Sequence, residues 1–337
     1  MGIKKTYRRF REFGGFNLIR TYWRMGVLGT VAREIMRYLI GQSNRNRMYS
    51  RIQQRIAPKL REQYYPLLLT LKEKYKNIAL EQHQSNKVWF CWLQGLDNAP
   101  VLVKVCLRSQ QKLLTDREII VITLDNYTDY VQLPDFFVNK YKQGHIPHAL
   151  FSDLLRLELL IRYGGTWMDA TLLVTNNNYP PKALNCPLFM FQYFTGQGRR
   201  PNGISNWFIT ACTNNRLLLI LRDMLYQYWS DYDCTVNYYL FHQFFSWIAY
   251  EHPEEYKAIP RGSSMVAIEL GRRMENGEPF DEEWFNDHIQ RCCFHKISYR
   301  LTPKIKNDPN GYYQHITKNP LTHSLGDEGS TFTKRSI

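Results

Sequence analysis

The chain has 337 residues, 44% hydrophobic and 22% charged, values of a folded globular protein that exclude global disorder. No window reaches the roughly 18 consecutive apolar residues of a spanning helix. Residues 1–9 are charged without the apolar stretch of a secretion signal, so a cytoplasmic chain is expected. The net charge of +14 is confined to one region: residues 1–80 hold 18 Lys and Arg against four acidic side chains, whereas residues 81–337 hold 26 of each sign. Seven cysteines form no C-x-x-C pair and read as reduced thiols rather than a disulfide framework or zinc site.

Residues 1–80 read as a basic helical extension. Leu28, Val31, Ile35, Met36 and Leu39 recur at helical spacing, with Arg33, Glu34 and Arg37 between them on the other face. After a stop at Gly41, a second helix is expected from about Arg51, with Ile52, Ile56 and Leu60 on one stripe and Pro66 bending or restarting it. A basic amphipathic helix suits an anionic membrane surface. The same pattern also suits a solvated helical hairpin packed on the core. No nucleic-acid motif is present, and no nucleic-acid partner is expected.

From Asn86 the pattern alternates between strand and helix. Strands are expected over Lys87–Leu93, Glu118–Leu124 and Thr166–Val174, the second being apolar enough for burial on both faces of a parallel sheet. Helices are expected from Pro100 to about Leu114, near Pro134–Lys142, and over His148–Tyr163, where Gly164-Gly165 stops the last. The order β-α-β-α-α-β is that of a nucleotide-binding α/β half. Further on, Leu188–Phe194 and Trp207–Ala211 read as strands, and Leu217–Tyr228 and Val236–Tyr250 as aromatic-rich core helices. Residues 196–203 and 262–279 read as loops, and Arg199 and Arg200 in the first suit closure over an anion. The expected division is an extension over 1–80, an α/β domain over 81–320 and a tail over 321–337.

Chemistry concentrates in residues 151–171. Asp153 and Arg156 are three apart on one helix and share a face. Asp169 falls near the C-terminal end of the following strand, where ligands bind in open α/β sheets. Carboxylates there can accept sugar hydroxyls or hold a cation, and a guanidinium can grip phosphate bidentately. Local spacing alone favours the plainer reading, an intrahelical ion pair and a surface aspartate.

The stretch Phe151-Ser-Asp-Leu-Leu-Arg, Tyr163-Gly-Gly-Thr-Trp-Met-Asp-Ala-Thr resembles the donor-site signature of glycosyltransferase family 32. More closely, the chain resembles the bacterial capsular polysaccharide synthesis protein family, through Trp89-Phe-Cys-Trp-Leu-Gln-Gly, Ala99-Pro, Glu118-Ile-Ile-Val-Ile-Thr, Leu133-Pro and Leu240-Phe-His in order. The resemblance implies a GT-A type fold, a nucleotide-sugar donor and transfer to an acceptor hydroxyl with retention of anomeric configuration. By position, Trp92 would stack on the donor base, with Gln94 and Gly95 beside the nucleotide. Asp153 and Arg156 would hold the donor sugar and its phosphate side, with Ser152 nearby. The Gly164-Gly165 pair and Trp167 complete the pattern, and Asp169 stands for the first Asp of an Asp-x-Asp, near ribose and metal.

The second Asp of that motif is Thr171. Relatives bind Mn²⁺ or Mg²⁺ with that carboxylate, and hard divalent cations favour charged oxygens. A divalent cation is therefore expected to bind weakly, through Asp169 and Thr171 with His242 as a further ligand, or to be replaced by cationic side chains. His242 reads equally as a hydrogen-bonded core histidine among aromatics. The expected function is a cytoplasmic glycosyltransferase, peripheral at the inner face of the cell membrane, acting on a lipid-linked or growing capsular or surface polysaccharide acceptor. The alternative is a non-catalytic GT-A-like binding or scaffold protein of the same machinery.

Overall fold

The computed structural model describes residues 15–79, 85–195 and 198–318, with side chains except those of 195–202. The tail expected over 321–337 lies outside the described residues. Three helices open the described chain: α1 (Gly15–Arg24), α2 (Leu28–Leu39) and α3 (Arg45–Lys74). An α/β unit follows with β1 (Lys87–Cys91), α4 (Val101–Leu113), β2 (Glu118–Ile122), α5 (Tyr127–Tyr130), α6 (Asp135–Lys142), α7 (His148–Tyr163) and β3 (Gly165–Asp169). Next come β4 (Leu172–Val174), α8 (Pro181–Leu184), β5 (Leu188–Thr195), β6 (Gly198–Ala211), α9 (Arg216–Asp231), α10 (Leu240–Glu251) and α11 (Pro253–Ala258). The last elements are α12 (Ser264–Asn276), α13 (Glu282–Arg291), β7 (Phe294–Lys296), α14 (Pro303–Asn307) and α15 (Tyr312–Lys318).

The architecture is mixed α/β around a five-stranded sheet of order β2-β1-β3-β6-β5. Strands β1, β2 and β3 are mutually parallel, and β6 joins β3 antiparallel. Period-2 alternation decides where β1 sends its side chains: Trp89 and Cys91 join the core cluster of α7, while Phe90 packs with Val103 and Leu107 of α4. The expected β2 is present, but it is the sheet edge, so Ile119, Ile120 and Val121 are only half-buried rather than covered on both faces. The expected single strand 166–174 is broken. β3 stops at Asp169, and β4 leaves for a separate two-stranded sheet with β7, in which Leu172 pairs with Lys296.

Two glycines make the turn from α7 into β3, with φ of 65° at Gly164 and 90° at Gly165. A Cβ on Gly165 would stand 2.3 Å from the Lys87 carbonyl oxygen, so β1 and β3 start in close backbone contact. The Trp89 indole N–H donates to the Gly164 carbonyl at 2.9 Å and fastens the same corner.

The extension departs from expectation in two ways. α3 starts at Arg45, capped by the Asn44 side chain accepting from the Arg47 amide, and runs unbroken past Pro58 and Pro66. Its stripe Ile56, Leu60, Tyr64 and Leu68 is fully buried, and the Tyr64 ring packs on Tyr228 and Phe244 of α9 and α10. On α2 burial does not follow the apolar stripe: Val31 is buried, but so is Glu34, which pairs with Arg51 at 3.2 Å. Ile35, Met36 and Leu39 point to solvent, with Leu39 69% exposed. Among the described residues no helix is long and apolar enough to cross a membrane.

The stretch 262–279 is not a loop but largely α12. Gly277 ends it in the left-handed conformation at φ 68°, and Gly271 lets β7 approach so closely that a Cβ would meet the Lys296 carbonyl oxygen at 2.3 Å. The expected loop over 196–203 is shorter, since β6 begins at Gly198; the side chains of Arg199 and Arg200 lie outside those described.

Candidate active site

One cleft of about 1070 Å³ opens at the C-terminal ends of β1 and β3. It is at the upper end of the roughly 300–1,000 Å³ usual for ligand sites. Cys91 of β1 stands in register with Asp169 of β3, so Trp92, the residue after β1, emerges beside Asp169. Both line the cleft, with Gln94, Ser152, Asp153, Arg156, Trp167, Thr171 and His242. Gly95 does not line it; at φ 80° it closes the turn after Trp92, its amide donating to the Trp92 carbonyl at 3.1 Å. Gly164 and Gly165 also lie apart, at the start of β3 rather than at its end.

Helical spacing on α7 puts Asp153 and Arg156 together, 3.3 Å apart, and the packing of α7 on β3 and β6 buries both. The pair is not isolated. Arg156 donates through Nε to the Ser152 carbonyl at 3.2 Å, through one terminal nitrogen to the Asn206 carbonyl, and through the other to Ser152 Oγ at 3.2 Å. The latter nitrogen also lies 3.7 Å from Asp169 Oδ1. Asn206 of β6 donates back to Asp153 Oδ1 at 3.0 Å. The guanidinium sits 4.8 Å above the Trp167 ring, and the Trp167 Nε1–H donates to Asp169 Oδ1 at 2.9 Å. Helix pair and strand aspartate therefore form one network.

The two carboxylates are pushed apart in proton affinity. Burial raises Asp153 to about 6, only partly opposed by Arg156. Burial also acts on Asp169, but Lys296 and Arg156 outweigh it and hold that carboxyl below the usual carboxylate range. His242, in the first turn of α10, is pulled down to about 4 by burial and by Arg156. Its Nδ1 is buried with no hydrogen-bond partner, unlike a satisfied core histidine.

The last residue of β7 was not foreseen. Lys296 Nζ donates to Asp169 Oδ2 at 2.6 Å and to Thr171 Oγ1 at 2.7 Å. A divalent cation held by this acidic motif would need those oxygens at roughly 2.0–2.6 Å. Both Asp169 oxygens already accept, Thr171 adds no charge, and the neighbours are an ammonium and a guanidinium. Among the described residues no three His, Cys, Asp or Glu side chains gather. The residues present do not fit a hard divalent cation.

The sequence model of the family described as capsular polysaccharide synthesis protein matches residues 35–316. The chain belongs to that family. The match begins within α2 and so takes in most of the helical extension as well as the cleft. No curated protein matches. Among solved structures the chain is similar to "PaToxG Glycosyltransferase", at 14% identity over 77% of this chain and 96% of that one, with a TM-score of 0.34.

In this family member the cleft has further walls that the sequence reading missed. Tyr299 meets Trp92 edge-on at 5.4 Å, and Arg300 and Asn206 face the same space. Tyr238 and Tyr239, ahead of α10, are exposed and line it, whereas Phe241, Phe244 and Phe245 within α10 are core.

Proposed function

We propose that the chain is a glycosyltransferase of GT-A type that binds a nucleotide sugar in this cleft. It moves the sugar, with retention, to a hydroxyl of a lipid-linked glycan or growing capsular or surface polysaccharide. The observation that carries the reading is the meeting of Asp153, Arg156, Asp169 and Trp92 in one cleft at the carboxyl ends of parallel strands. Membership of a capsular polysaccharide synthesis family agrees with it. Trp92 and Tyr299 offer ring faces and edges to a base, and the carboxylates accept sugar hydroxyls. The main electrostatic task is to stabilise the departing nucleoside diphosphate.

The test is a panel of nucleotide sugars scored by thermal stabilisation and by donor hydrolysis, with Asp169→Asn as control. One donor that stabilises and hydrolyses with wild type, and does neither with the variant, supports the reading. No response to any donor sinks it. The second reading, a non-catalytic scaffold, draws on Lys296 standing against the acidic motif. Donor binding with neither hydrolysis nor transfer would select it.

The site of action in this reading is the inner face of the membrane. Phe16 and Trp23 on α1 and Met36 and Leu39 on α2 are exposed, beside Arg20, Arg24 and Arg33 on the same helices. Apolar side chains to insert and cations to meet anionic headgroups suit a lipid surface.

A further inference from the structure

We propose that Lys296 takes the place of the divalent cation at the acidic motif, so that this protein holds and releases the donor diphosphate without metal. The inference rests on the glycosyltransferase reading above and specifies its leaving-group chemistry.

Charge arithmetic motivates it. Two carboxylates and a divalent cation sum to zero, and so do one carboxylate, one threonine and one ammonium. Thr171 and Lys296 together thus leave the motif with the same net charge as two carboxylates and a divalent cation. The geometry agrees, because Nζ lies between Asp169 Oδ2 and Thr171 Oγ1 at 2.6 and 2.7 Å, bridging the motif's first and third side chains. The backbone fixes it there. Lys296 pairs with Leu172 across β4 and β7, and the Ile297 amide donates to the Thr171 carbonyl at 3.0 Å. The lysine is not sealed in: a quarter of its side chain is exposed, and it lines the cleft.

An ammonium has three N–H donors, and two are used on Asp169 and Thr171. The third serves a phosphate oxygen of the donor. Arg300 lines the same cleft and adds positive charge around a dianionic diphosphate. In transfer, the bond from the anomeric carbon to the diphosphate oxygen breaks and its electron pair stays on that oxygen. The acceptor hydroxyl forms the new bond to the same carbon, and its proton passes to the departing diphosphate. Lys296, held against Asp169 and Thr171, faces the charge that develops on the departing oxygen.

Binding separates this proposal from the reading beneath it. Calorimetry with UDP, GDP, CDP and ADP is run on the full chain in chelator and in Mn²⁺, and Mn²⁺ binding is followed by electron paramagnetic resonance. Wild type is expected to bind one nucleotide equally in chelator and in Mn²⁺, and to bind little Mn²⁺ alone. Lys296→Met should lose at least tenfold in nucleotide affinity in chelator, and Lys296→Arg should keep it within a few-fold. Their melting temperatures show whether the fold survives. The double variant Thr171→Asp with Lys296→Ala should bind Mn²⁺ and need it for nucleotide. Nucleotide binding by wild type only with Mn²⁺ overturns the proposal and spares the glycosyltransferase reading. Unchanged binding by Lys296→Met in chelator also overturns it. Failure of every nucleotide in both conditions overturns both.

Discussion

Trp167 hands its indole N–H to Asp169 Oδ1 at 2.9 Å while its ring carries the Arg156 guanidinium 4.8 Å above. One side chain thereby orients both the carboxylate and the cation of the site, although it is itself buried.

Trp167→Phe should keep the ring under Arg156 and remove the hydrogen bond. That bond is one of the contacts holding Asp169 low, so the Asp169 pKa should rise. A hydrogen bond to a charged group is worth about 1.5–3 kcal/mol. Nucleotide-sugar affinity should therefore fall roughly tenfold or more. The acid limb of a binding–pH profile should move to higher pH. An unmoved acid limb would separate Trp167 from Asp169 ionisation.

Arg156→Lys is expected to be costly for stability as well as for binding. The guanidinium reaches Ser152, Asn206, Asp153 and Asp169 from one planar fork, and a lysine offers three donors at a single point. A loss of about 2 kcal/mol in unfolding free energy is expected from urea titration. Wild-type stability and affinity together would reduce Arg156 to an ordinary helix ion pair.

Acid should destabilise the fold through buried neutral histidines. His295 on β7 is fully buried, its Nε2 lies 3.0 Å from Thr175 Oγ1, and burial pulls its pKa down to about 3. Unfolded, the imidazole takes a proton below about 6.5. Between those values the unfolded state binds more protons, so this contribution is complete above pH 6.5 and is lost as pH falls towards 3. His242 acts in the same direction down to about 4. Urea unfolding from pH 7 to 4.5 should show His295→Gln with a slope shallower by about 1.4 kcal/mol per pH unit. An identical slope would mean that His295 is already charged in the folded chain.

The extension should separate into a lipid-facing side and a core-facing side. Full-length protein is expected to bind vesicles containing phosphatidylglycerol. It should release as salt rises from about 0.1 to 1 M, where screening shortens from roughly 10 to 3 Å. Serines at Phe16, Trp23, Met36 and Leu39 should abolish binding with little change in melting, because all four are exposed. Leu60→Ala on α3 should do the reverse, costing about 2–5 kcal/mol of stability without touching vesicle binding. A chain beginning at Gln82 would confound the two, since it loses the Tyr64 contacts with Tyr228 and Phe244.

The parallel half of the sheet was readable because β1 and β2 carry near-continuous apolar runs and α7 ends on a glycine pair. The convergence of Asp153, Arg156 and Asp169 was readable because all three lie within 17 residues. Lys296 was not, since 127 residues separate it from Asp169 and nothing local marks a lone lysine on a three-residue strand. Its only trace in the sequence is the charge missing at Thr171. α12 was hidden by Gly271 and Gly277, which suggest a loop until a close strand and a left-handed cap explain them. On α2 the stripe was visible, but periodicity fixes only that a helix has two faces. Which one turns inward depends on a partner, here Arg51, that accepts Glu34.

The close backbone contact at Gly165 gives the cleft a remote point of control. Gly165 begins the five-residue strand that ends in Asp169, about 13 Å away at strand rise. One added methyl group there must push β3 off β1, because it meets a carbonyl oxygen rather than a flexible side chain. The displacement would travel along a stiff strand and separate Asp169 from Trp92, Arg156 and Lys296 at once. A change at a distance can therefore disable every contact that Asp169 makes in the cleft, and variation at this corner belongs to the chemistry of the site as much as to its scaffold.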